Sequence, residues 1–521
     1  MKPTHKLTPQ NEDDKLNPVS YPDLRAYPWT LNVSAETPWT LPDFKFVPED
    51  LRDVDLESGK KRVYTGPKRL HKFTNPISVP GYLKWKQQLD YIKDDSPSFH
   101  NLYNEIFVYN RGLIHKIKDK DAEFWNGDIP IPYHYLKLHL RTHVVEEGKE
   151  KVRAVFGCPK LLLMVENMFI WPLQAFYTNN PSQGRMFWGR EIGKGGWQNL
   201  INEFHSKRRS TYISMDWSGF DRRLLHELIT DVHKIWRSYF DFSSYSPTTR
   251  YPEPGMNAER IENLWDWMTH SIKHTPILLP NQEVWEWTHN GFGSGFQQTQ
   301  LMDTFCNMIM TYTVLSSLGV NIESDDFKSR FQGDDAILGL PERKFDLYGR
   351  HFLAMMAKKA IFYFNAKLSD EKSGIGNHPN SLYALGYNNR YHKPYRTDVD
   401  LLSHLMFPEN PQDYSRIAAS AMGLAYASLG CSKPFYDLCH ELWDHIVIQR
   451  GMTPDWRELR WMKRAGLNTV IESLENAPFP TFESLLALGL NYQPRTEAEN
   501  QRLWPTEIHE IKGEIVFLNR A

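Results

Sequence analysis

Two adjacent carboxylates, Asp334 and Asp335, follow Gly333 between two short runs that predict strands. Neighbouring acids at a tight turn repel each other, which costs stability unless a cation lies against them. The stretch therefore favours a metal site at the tip of a hairpin. An ordinary type I′ hairpin turn, in which Asp and Gly are common residues, explains the same tripeptide equally well on this stretch alone.

A second pair of acids, Asp216 and Asp221, stands far upstream. Residues 211–215 are β-prone and lead directly to Asp216, and residues 222–230 predict a helix. A strand that runs into a helix sets Asp216 at the carboxyl end of the strand, where ligands of sheet proteins gather. The alternative is that Asp216 is a helix N-cap and Asp221 a surface acid.

A glycine-rich loop over residues 291–298 precedes a pattern that predicts one long helix reaching Ser317. Thr299, Asp303 and Asn307 recur every four residues, so they form one polar stripe on that helix. A solvated surface face would explain the stripe. The aromatic and Met residues between its members favour a buried helix instead, and a buried stripe needs a polar partner.

The elements that position these residues belong to a large protein. The 521 residues exceed the usual size of one hydrophobic core, which predicts several packed lobes. Charged residues make up 24% and hydrophobic residues 41%, as in ordinary soluble globular proteins. Because the net charge is −2, any channel for a polyanion must gather its positive charge locally.

Cysteine usage and hydropathy indicate the compartment. The four cysteines are scattered and lack zinc-ligand spacing, which predicts reduced thiols and no disulfide framework. No signal peptide is recognisable, and the strongest apolar run, residues 161–165, is stopped by Glu166. These patterns predict a soluble intracellular or particle-enclosed protein without a membrane partner.

Four segments outside the motifs have distinct patterns. Residues 1–80 are rich in Pro and charge and predict an extended arm lying over other lobes. Residues 241–256 predict a loop, and helical patterning dominates from about residue 395. The stretch 511–518 predicts a short strand or hairpin that docks back onto the body.

The order of the motifs resembles motifs A, B and C of viral RNA-dependent RNA polymerases. The matching residues are Asp216 and Asp221 for motif A; Ser294, Gly295, Thr299 and Asn307 for motif B; and Gly333, Asp334 and Asp335 for motif C. Upstream, residues 151–155 resemble motif F, and Arg141 fits the same region. Downstream, residues 368–373 resemble motif D and residues 385–387 resemble motif E. The combination looks most like polymerases of partitiviruses, with picobirnaviruses second.

This resemblance implies an α+β fold of the right-hand polymerase type, with fingers, a palm built on an antiparallel sheet, and a helical thumb. The implied division is an N-terminal arm (1–80), fingers (81–205), palm with motif A (206–235), a fingers insertion (236–285), palm with motifs B to E (286–395), thumb (396–490) and a C-terminal segment (491–521).

The resemblance also implies roles at the site. Two divalent ions, Mg²⁺ or Mn²⁺, would be held by Asp216 and Asp334, with Asp335 in support. Lys372 would be the general acid that protonates pyrophosphate, with Lys367 as a rival. Nucleotide-binding residues would be Lys151, Arg153, Asp221, Ser294, Gly295, Thr299 and Asn307.

Within that set, Asp221 and Asn307 would recognise the ribose 2′-hydroxyl, and Arg153 would hold the triphosphate. Lys151 follows several charged residues and is explained as well by a solvated surface position. Candidates for template and product phosphates are Arg185, Arg190, Lys194, Lys207, Arg208 and Arg209. Each of these cations is equally well explained as a solvated charge.

The implied function is RNA-directed RNA synthesis in the replication and transcription of a double-stranded RNA genome. The implied partners are RNA template and product, ribonucleoside triphosphates and a viral capsid protein, in the virion interior or the host cytoplasm. A reverse transcriptase, a metal-dependent nuclease and a catalytically inactive polymerase-like RNA-binding protein are the alternatives. Gly333 and Asn307 count against the first, the polar stripe against the second, and the intact acids against the third.

Overall fold

The computed structural model describes residues 15–48, 53–54, 61–62, 75–142, 145, 147–148, 152–179, 184–245, 257–408, 412–459, 462, 477–496 and 498–500. The sequence predictions for Lys151 and for residues 511–518 lie outside these residues. So does most of the loop predicted over residues 241–256.

The described part of the N-terminal arm packs into the body of the protein. Leu16, Val19 and Leu24 are buried in the main hydrophobic core, and the main-chain N–H of Val19 donates to the carbonyl of Met168 at 2.7 Å. The arm therefore lies over other parts of the chain, as the sequence predicts. It contributes the 3₁₀ helix Pro22–Ala26 and the strands β1 (Lys45–Phe46), β2 (Asp53–Val54), β3 (Lys61–Arg62) and β4 (Ile77–Ser78).

The next region mixes helices with two small sheets. One is a hairpin of β5 (Trp125–Asn126) and β6 (Ile129–Pro130). The other contains β7 (Leu136–Thr142), β8 (Val152–Gly157), β10 (Ile277–Leu278) and β11 (Val284–Trp285), in the order β11-β10-β7-β8. Its helices are α1 (Val79–Gln88), α2 (Tyr103–Lys118), α3 (Lys160–Asn179), the 3₁₀ helix Ile192–Lys194, α4 (Gly196–Phe204) and α7 (Ala258–His274).

A second four-stranded sheet, ordered β12-β13-β9-β14, is antiparallel throughout. It contains β9 (Thr211–Met215), β12 (Lys328–Gln332), β13 (Asp335–Leu340) and β14 (Gly374–Gly376). The helices beside it are α5 (Phe220–Arg223), α6 (His226–Arg237), α8 (Thr299–Ser317), α9 (Lys344–Tyr348) and α10 (His351–Phe364). The strand and the long helix that the sequence predicts, residues 211–215 and the helix reaching Ser317, are both present.

The helix predicted over residues 222–230 is broken into α5 and α6. Leu224 and Leu225 between them are extended, with ψ of 119° and 137°. Helix α5 follows Gly219, which has a left-handed φ of +62° and supplies no side-chain cap. Asp216 therefore ends a strand and is not a helix N-cap.

A three-stranded meander and a helical lobe follow. The meander contains the 3₁₀ helix Pro379–Ser381, β15 (Tyr383–Ala384), β16 (Tyr387–Arg390) and β17 (Lys393–Tyr395). The lobe contains α11 (Asp398–Met406), α12 (Tyr414–Ser428), α13 (Lys433–Trp443), the π-helical turn Asp444–Gln449, the 3₁₀ helix Trp456–Leu459 and α14 (Phe482–Leu490).

The helical lobe has a hydrophobic core of its own. Side-chain oxygens cap several of its helices, including those of Thr397 on α11 and Asp413 on α12. Buried residues from α11 to α14 form a cluster separate from the large cluster that runs from Leu16 to Ile375. The helical character predicted from about residue 395 is thus observed as an independently packed lobe.

All four cysteines are free thiols, in agreement with the cysteine spacing. Among the described helices, none is long and apolar enough to cross a bilayer.

Candidate active site

The two distant acid motifs meet at one edge of the antiparallel sheet. Strand β13 pairs with β9 so that Ala336 lies opposite Met215. One residue further in this register, Asp335 and Asp216 are the next opposed pair. The ends of two strands that are remote in sequence therefore carry their carboxylates to the same place.

The hairpin between β12 and β13 is closed by Gln332 and Asp335, which leaves Gly333 and Asp334 as a two-residue turn. Gly333 has φ of +60°, and Asp334 is not among the residues with positive φ. A positive φ at the first turn position alone is the type II′ pattern, so the type I′ turn considered from sequence is wrong. A Cβ at Gly333 would meet no atom within 4 Å, so backbone conformation alone favours glycine here.

Burial and neighbouring acids raise the pKa of Asp334 and Asp335. For Asp335, burial and repulsion from Asp334 and Asp216 raise the pKa to about 6, although the hydrogen bond from the Leu385 N–H at 3.1 Å acts to lower it. Asp334 lies at the hairpin tip and is exposed. Desolvation by the surrounding protein and the charge of Asp216 raise its pKa, while Arg153 opposes the shift. Such mutual repulsion is relieved when a cation binds.

The donor set fits hard divalent cations. Among the described residues, no three His, Cys, Asp or Glu side chains lie close enough together to hold a metal ion unaided. Mg²⁺, however, commonly takes one or two protein carboxylates and completes its shell with phosphates and water. The oxygen chemistry of Asp216, Asp334 and Asp335 suits ions whose coordination a bound nucleotide completes.

Asp221 and Asp303 form a hydrogen-bonded pair of carboxyls beside these acids. Burial and the charge of Asp334 raise the pKa of Asp221 to about 6, against the lowering effects of Asp303 and Arg153. Complete burial, together with Asp221 and Asp334, raises the pKa of Asp303 well above its ordinary value. Both shifts favour a proton on Asp303 that is donated to Asp221. Asp303 and Asn307 of the polar stripe on α8 are buried, as the sequence favours, and Thr299 is half-buried.

Asn307 bonds the main chain of the hairpin that carries the paired acids. Its side-chain amide donates to the carbonyl oxygens of Gly333 at 3.0 Å and Asp334 at 2.9 Å. Its oxygen accepts from the Trp217 indole N–H and the Thr311 hydroxyl, both at 3.0 Å. The side chain is fully buried and its hydrogen-bonding capacity is used within the protein, which gives Asn307 a structural role at the hairpin. Its recognition of the ribose stays a prediction.

The loop before α8 lies against β8. The Ser294 hydroxyl, which is exposed, donates to the carbonyl of Ala154 at 3.4 Å. A Cβ added to Gly295 would stand 1.7 Å from the carbonyl oxygen of Phe156, so only glycine permits this approach. The Thr299 hydroxyl donates to the Gly293 carbonyl at 2.9 Å, which closes the loop and leaves Thr299 a structural part in it.

Strand β8 also brings Arg153 to the site. Its side chain is exposed, and its charge lowers the pKa of both Asp221 and Asp334. The guanidinium is therefore within electrostatic reach of the acids, where a triphosphate would need a cation.

The loop that carries Lys372 is attached to the main chain of Asp216. The Ser369 N–H donates to the Asp216 carbonyl at 2.8 Å, and the Asp216 N–H donates to the Ser373 hydroxyl at 3.1 Å. Lys367 and Lys372 are both exposed. The structure brings both lysines near Asp216 and does not choose between them.

Two of the cations predicted to bind RNA serve the internal packing of the sheet. Arg185 donates to the Tyr312 hydroxyl at 2.7 Å and stacks over that ring. Arg209 donates to the carbonyls of Asp326, Glu203 and Phe204 at 2.6 to 2.9 Å. These donors are used within the protein, so both residues have a packing role, and their phosphate contacts stay predictions.

Two more, Arg190 and Lys194, are buried in ion pairs. Arg190 pairs with Glu203, and Lys194 lies 2.7 Å from Glu499 with its side chain 3% exposed. Burial and pairing count against phosphate contacts by these two cations, which stay predictions. Lys207 and Arg208 remain exposed, and Arg208 lies 3.8 Å from Asp326.

Sequence reasoning missed three residues that hold the acids in place. The Thr304 hydroxyl accepts from the Gly333 N–H at 2.8 Å, and Trp217 bonds Asn307. Tyr383 hydrogen-bonds Asp216, and burial together with the surrounding acids raises its pKa to about 12. Thr304 could have been found, since it lies one turn before Asn307 on the same helix face. Tyr383 carries no local signal.

An antiparallel sheet carrying paired acids, a helix that secures them and a separate helical lobe define a right-hand nucleic-acid polymerase. Residues 142–374 match the family of viral RNA-dependent RNA polymerases. Over these residues, which include all the acids of the site, the chain is similar to that family, and its relatives named RNA-directed RNA polymerase indicate the same enzyme class.

Relatives with known activity agree. The chain is 26% identical over 500 residues to the RNA-directed RNA polymerase of White clover cryptic virus 1, covering 92% of this chain and 78% of that protein. It is 23% identical over 465 residues to that of Atkinsonella hypoxylon virus, covering 83% of this chain and 65% of the relative.

A solved structure shares the fold at low sequence identity, and a second is similar over part of its length. The Sicinivirus 3Dpol RNA-dependent RNA polymerase matches with a TM-score of 0.51 and 13% identity, over 87% of this chain and 82% of that one. The RNA-dependent RNA polymerase of a human picobirnavirus matches with a TM-score of 0.47 and 13% identity, over 72% of this chain and 65% of that one.

Proposed function

We propose that this polymerase copies viral RNA by nucleotidyl transfer at a pair of divalent ions, Mg²⁺ or Mn²⁺, and serves replication and transcription of a double-stranded RNA genome. The observation that carries the proposal is the register of β9 and β13, which sets Asp216 at the same sheet edge as Asp334 and Asp335.

Asp216 and Asp334 would hold the ions, and Asp335 would support them. The carboxylate of Asp335 already accepts the Leu385 N–H, which favours the supporting position. Bound there, the ions would stabilise the charge on the attacking hydroxyl and the leaving pyrophosphate. Thr304 and Asn307 bond the main chain of Gly333 and so fix the hairpin turn that carries Asp334.

Arg153 would bind the triphosphate, and the exposed hydroxyl of Ser294 would meet the sugar. Asp221, held by Asp303, would accept the ribose 2′-hydroxyl. A site built to bond a hydroxyl rejects the analogue without it, because its buried polar groups are then left unpaired. Lys372 would protonate the pyrophosphate, which its exposed side chain on a loop bonded to Asp216 supports. Lys151 would assist Arg153 in binding the triphosphate.

Purified protein with single-stranded RNA, all four ribonucleotides and Mg²⁺ or Mn²⁺ tests the proposal. Complementary RNA that depends on Asp334 is expected. RNA binding without synthesis under any of these conditions would favour the inactive RNA-binding alternative. DNA synthesis from deoxynucleotides would favour a reverse transcriptase.

The proposed setting is a virus particle or the host cytoplasm, with a capsid protein as partner. Similarity to a polymerase of a cryptic virus supports it. Particles purified from an infected host should contain this chain in a protease-resistant form. Complete digestion in intact particles would count against the enclosed location.

A further inference from the structure

Glu166 is a buried acid in the middle of a largely apolar helix. It lies on α3, the helix that follows β8, and its side chain is 0% exposed. Burial raises its pKa to about 8, and hydrogen bonds from Gln297 and Gln298 oppose that shift. A buried carboxylate is costly unless donors surround it, so its partners define what it does.

All its hydrogen-bond partners belong to the two residues just before α8. One carboxylate oxygen accepts the Gln298 main-chain N–H at 3.4 Å and the Gln298 side-chain amide at 2.8 Å. The other oxygen accepts the Gln297 main-chain N–H at 3.3 Å. Within the part of the chain that the structure describes, three donors and no acceptor bond the carboxyl, and these bonds strengthen when the carboxyl is ionised.

The same loop is held from three further sides. The Gln174 amide donates to the Gln297 carbonyl at 2.8 Å, and the Tyr27 hydroxyl donates to the Gln297 side-chain oxygen at 3.2 Å. The buried His233 on α6 lies 2.6 Å from the side-chain oxygen of Gln298. The network therefore links the loop before α8 to α3 and to α6, the helix that follows α5 with its Asp221.

The middle of the loop, at Ser294 and Gly295, lies against β8. Ser294 bonds Ala154, and Gly295 packs on the carbonyl of Phe156. Strand β8 and helix α3 are consecutive in the chain and carry Arg153 and Glu166, respectively. The loop is thus held in its middle by β8 and at its carboxyl end by α3. These two attachments fix Ser294 relative to Arg153.

We propose that Glu166 is a positioning residue of the polymerase reaction: through Gln297 and Gln298 it sets the place of the Ser294 hydroxyl and so the selection of ribonucleotides over deoxynucleotides. This inference rests on the proposed role of Ser294 at the sugar. Glu166 itself touches no substrate and acts through the loop.

The test compares steady-state kinetics of Glu166→Gln with the parent. The isosteric amide sets an N–H₂ group against donors, so the loop loses at least one bond to a charged acceptor. The ratio of kcat/KM for ribonucleotides to that for deoxynucleotides should fall about tenfold, with ribonucleotide KM raised more than kcat is lowered. Glu323→Gln, an exposed acid remote from the loop, should match the parent.

Two more variants separate positioning from general loosening. Glu166→Gln with Gln298→Glu exchanges amide and carboxylate across the same contact and should recover most of the lost ratio. Gln298→Ala removes one donor of three and should lower the ratio about threefold, which tests the idea even if Glu166→Gln does not fold.

An unchanged ratio in Glu166→Gln and Gln298→Ala overturns the inference, and so does a loss that the exchange variant fails to recover. An inactive parent enzyme would instead overturn the proposed function.

Discussion

The side-chain amide nitrogen of Asn307 lies 3.0 Å from the main-chain carbonyl oxygen of Gly333. Helix α8 is thereby joined to the hairpin that carries the paired acids. The contact makes Asn307 a support for Asp334.

Asn307→Ala should therefore lower synthesis and leave sugar selection unchanged. Loss of the amide leaves the carbonyls of Gly333 and Asp334 without their donor, which costs about 1–3 kcal/mol of stability. The acids can then shift, and this displacement should lower kcat roughly 10²-fold. Thr304→Val, which removes the bond to the Gly333 N–H, should act in the same direction. A selective rise in deoxynucleotide use in Asn307→Ala would contradict the structural role and restore the one predicted from sequence.

Asp334→Ala should abolish RNA synthesis and preserve RNA binding, because the carboxylate is proposed to bind ions and otherwise bonds its own main chain. Gel-based extension and filter-binding assays measure the two properties. Asp325→Ala, an exposed acid on the loop before β12, is the matched control and should remain active. Normal synthesis by Asp334→Ala would remove the ion-binding assignment.

Sugar selection should depend on the Asp221–Asp303 pair. Asp221→Ala removes the acceptor proposed for the 2′-hydroxyl and should lower the ribonucleotide to deoxynucleotide ratio at least tenfold. Asp303→Asn keeps a donor toward Asp221 and should be milder than Asp303→Leu, which leaves Asp221 unpartnered. Single-nucleotide incorporation with matched sugars measures the ratio. Equal ratios in all three variants would exclude the pair.

Stability without metal should fall as pH rises through about 6. The folded pKa of Asp221 and Asp335 is raised to about 6, against about 3.9 in an unfolded chain. A group with a raised folded pKa stabilises the fold fully below its unfolded pKa, and this contribution is lost as pH passes its folded pKa. Mg²⁺ should therefore raise the melting temperature more at pH 7.5 than at pH 5. Equal gains at both values would contradict the coupling.

Lys194→Met should destabilise the protein without weakening RNA binding. Glu499, which is half-buried, would lose its cation, and the cost should stay below the ~3–5 kcal/mol of a fully buried broken pair because Thr496 still donates to the carboxylate. Lys194→Met with Glu499→Leu should recover much of this, since an apolar pair replaces the ionic one. Urea unfolding measures stability, and proteolysis within residues 491–500 reports local release. A weaker RNA complex from a stably folded Lys194→Met would support the sequence prediction instead.

Local physics determined what the sequence could show by itself. Alternating and apolar patterns over residues 211–215 specify β9, the spacing of polar residues after residue 298 specifies α8, and Gly333 with two acids specifies a hairpin turn. Each depends on neighbours within a few positions. The order of the three motifs was then enough to indicate the enzyme family, whereas the lobe boundaries remain predictions.

Tertiary structure alone decided the task of each polar side chain. Asn307 and Asp303 lie on one stripe, yet one is bound by a hairpin and the other by Asp221. The sequence makes Lys194 a candidate phosphate ligand. In the structure its charge is paired with the carboxylate of Glu499, 305 positions away. A charge is neutralised, or an amide satisfied, by whatever group folding brings within about 3 Å, and sequence spacing contains no record of that distance.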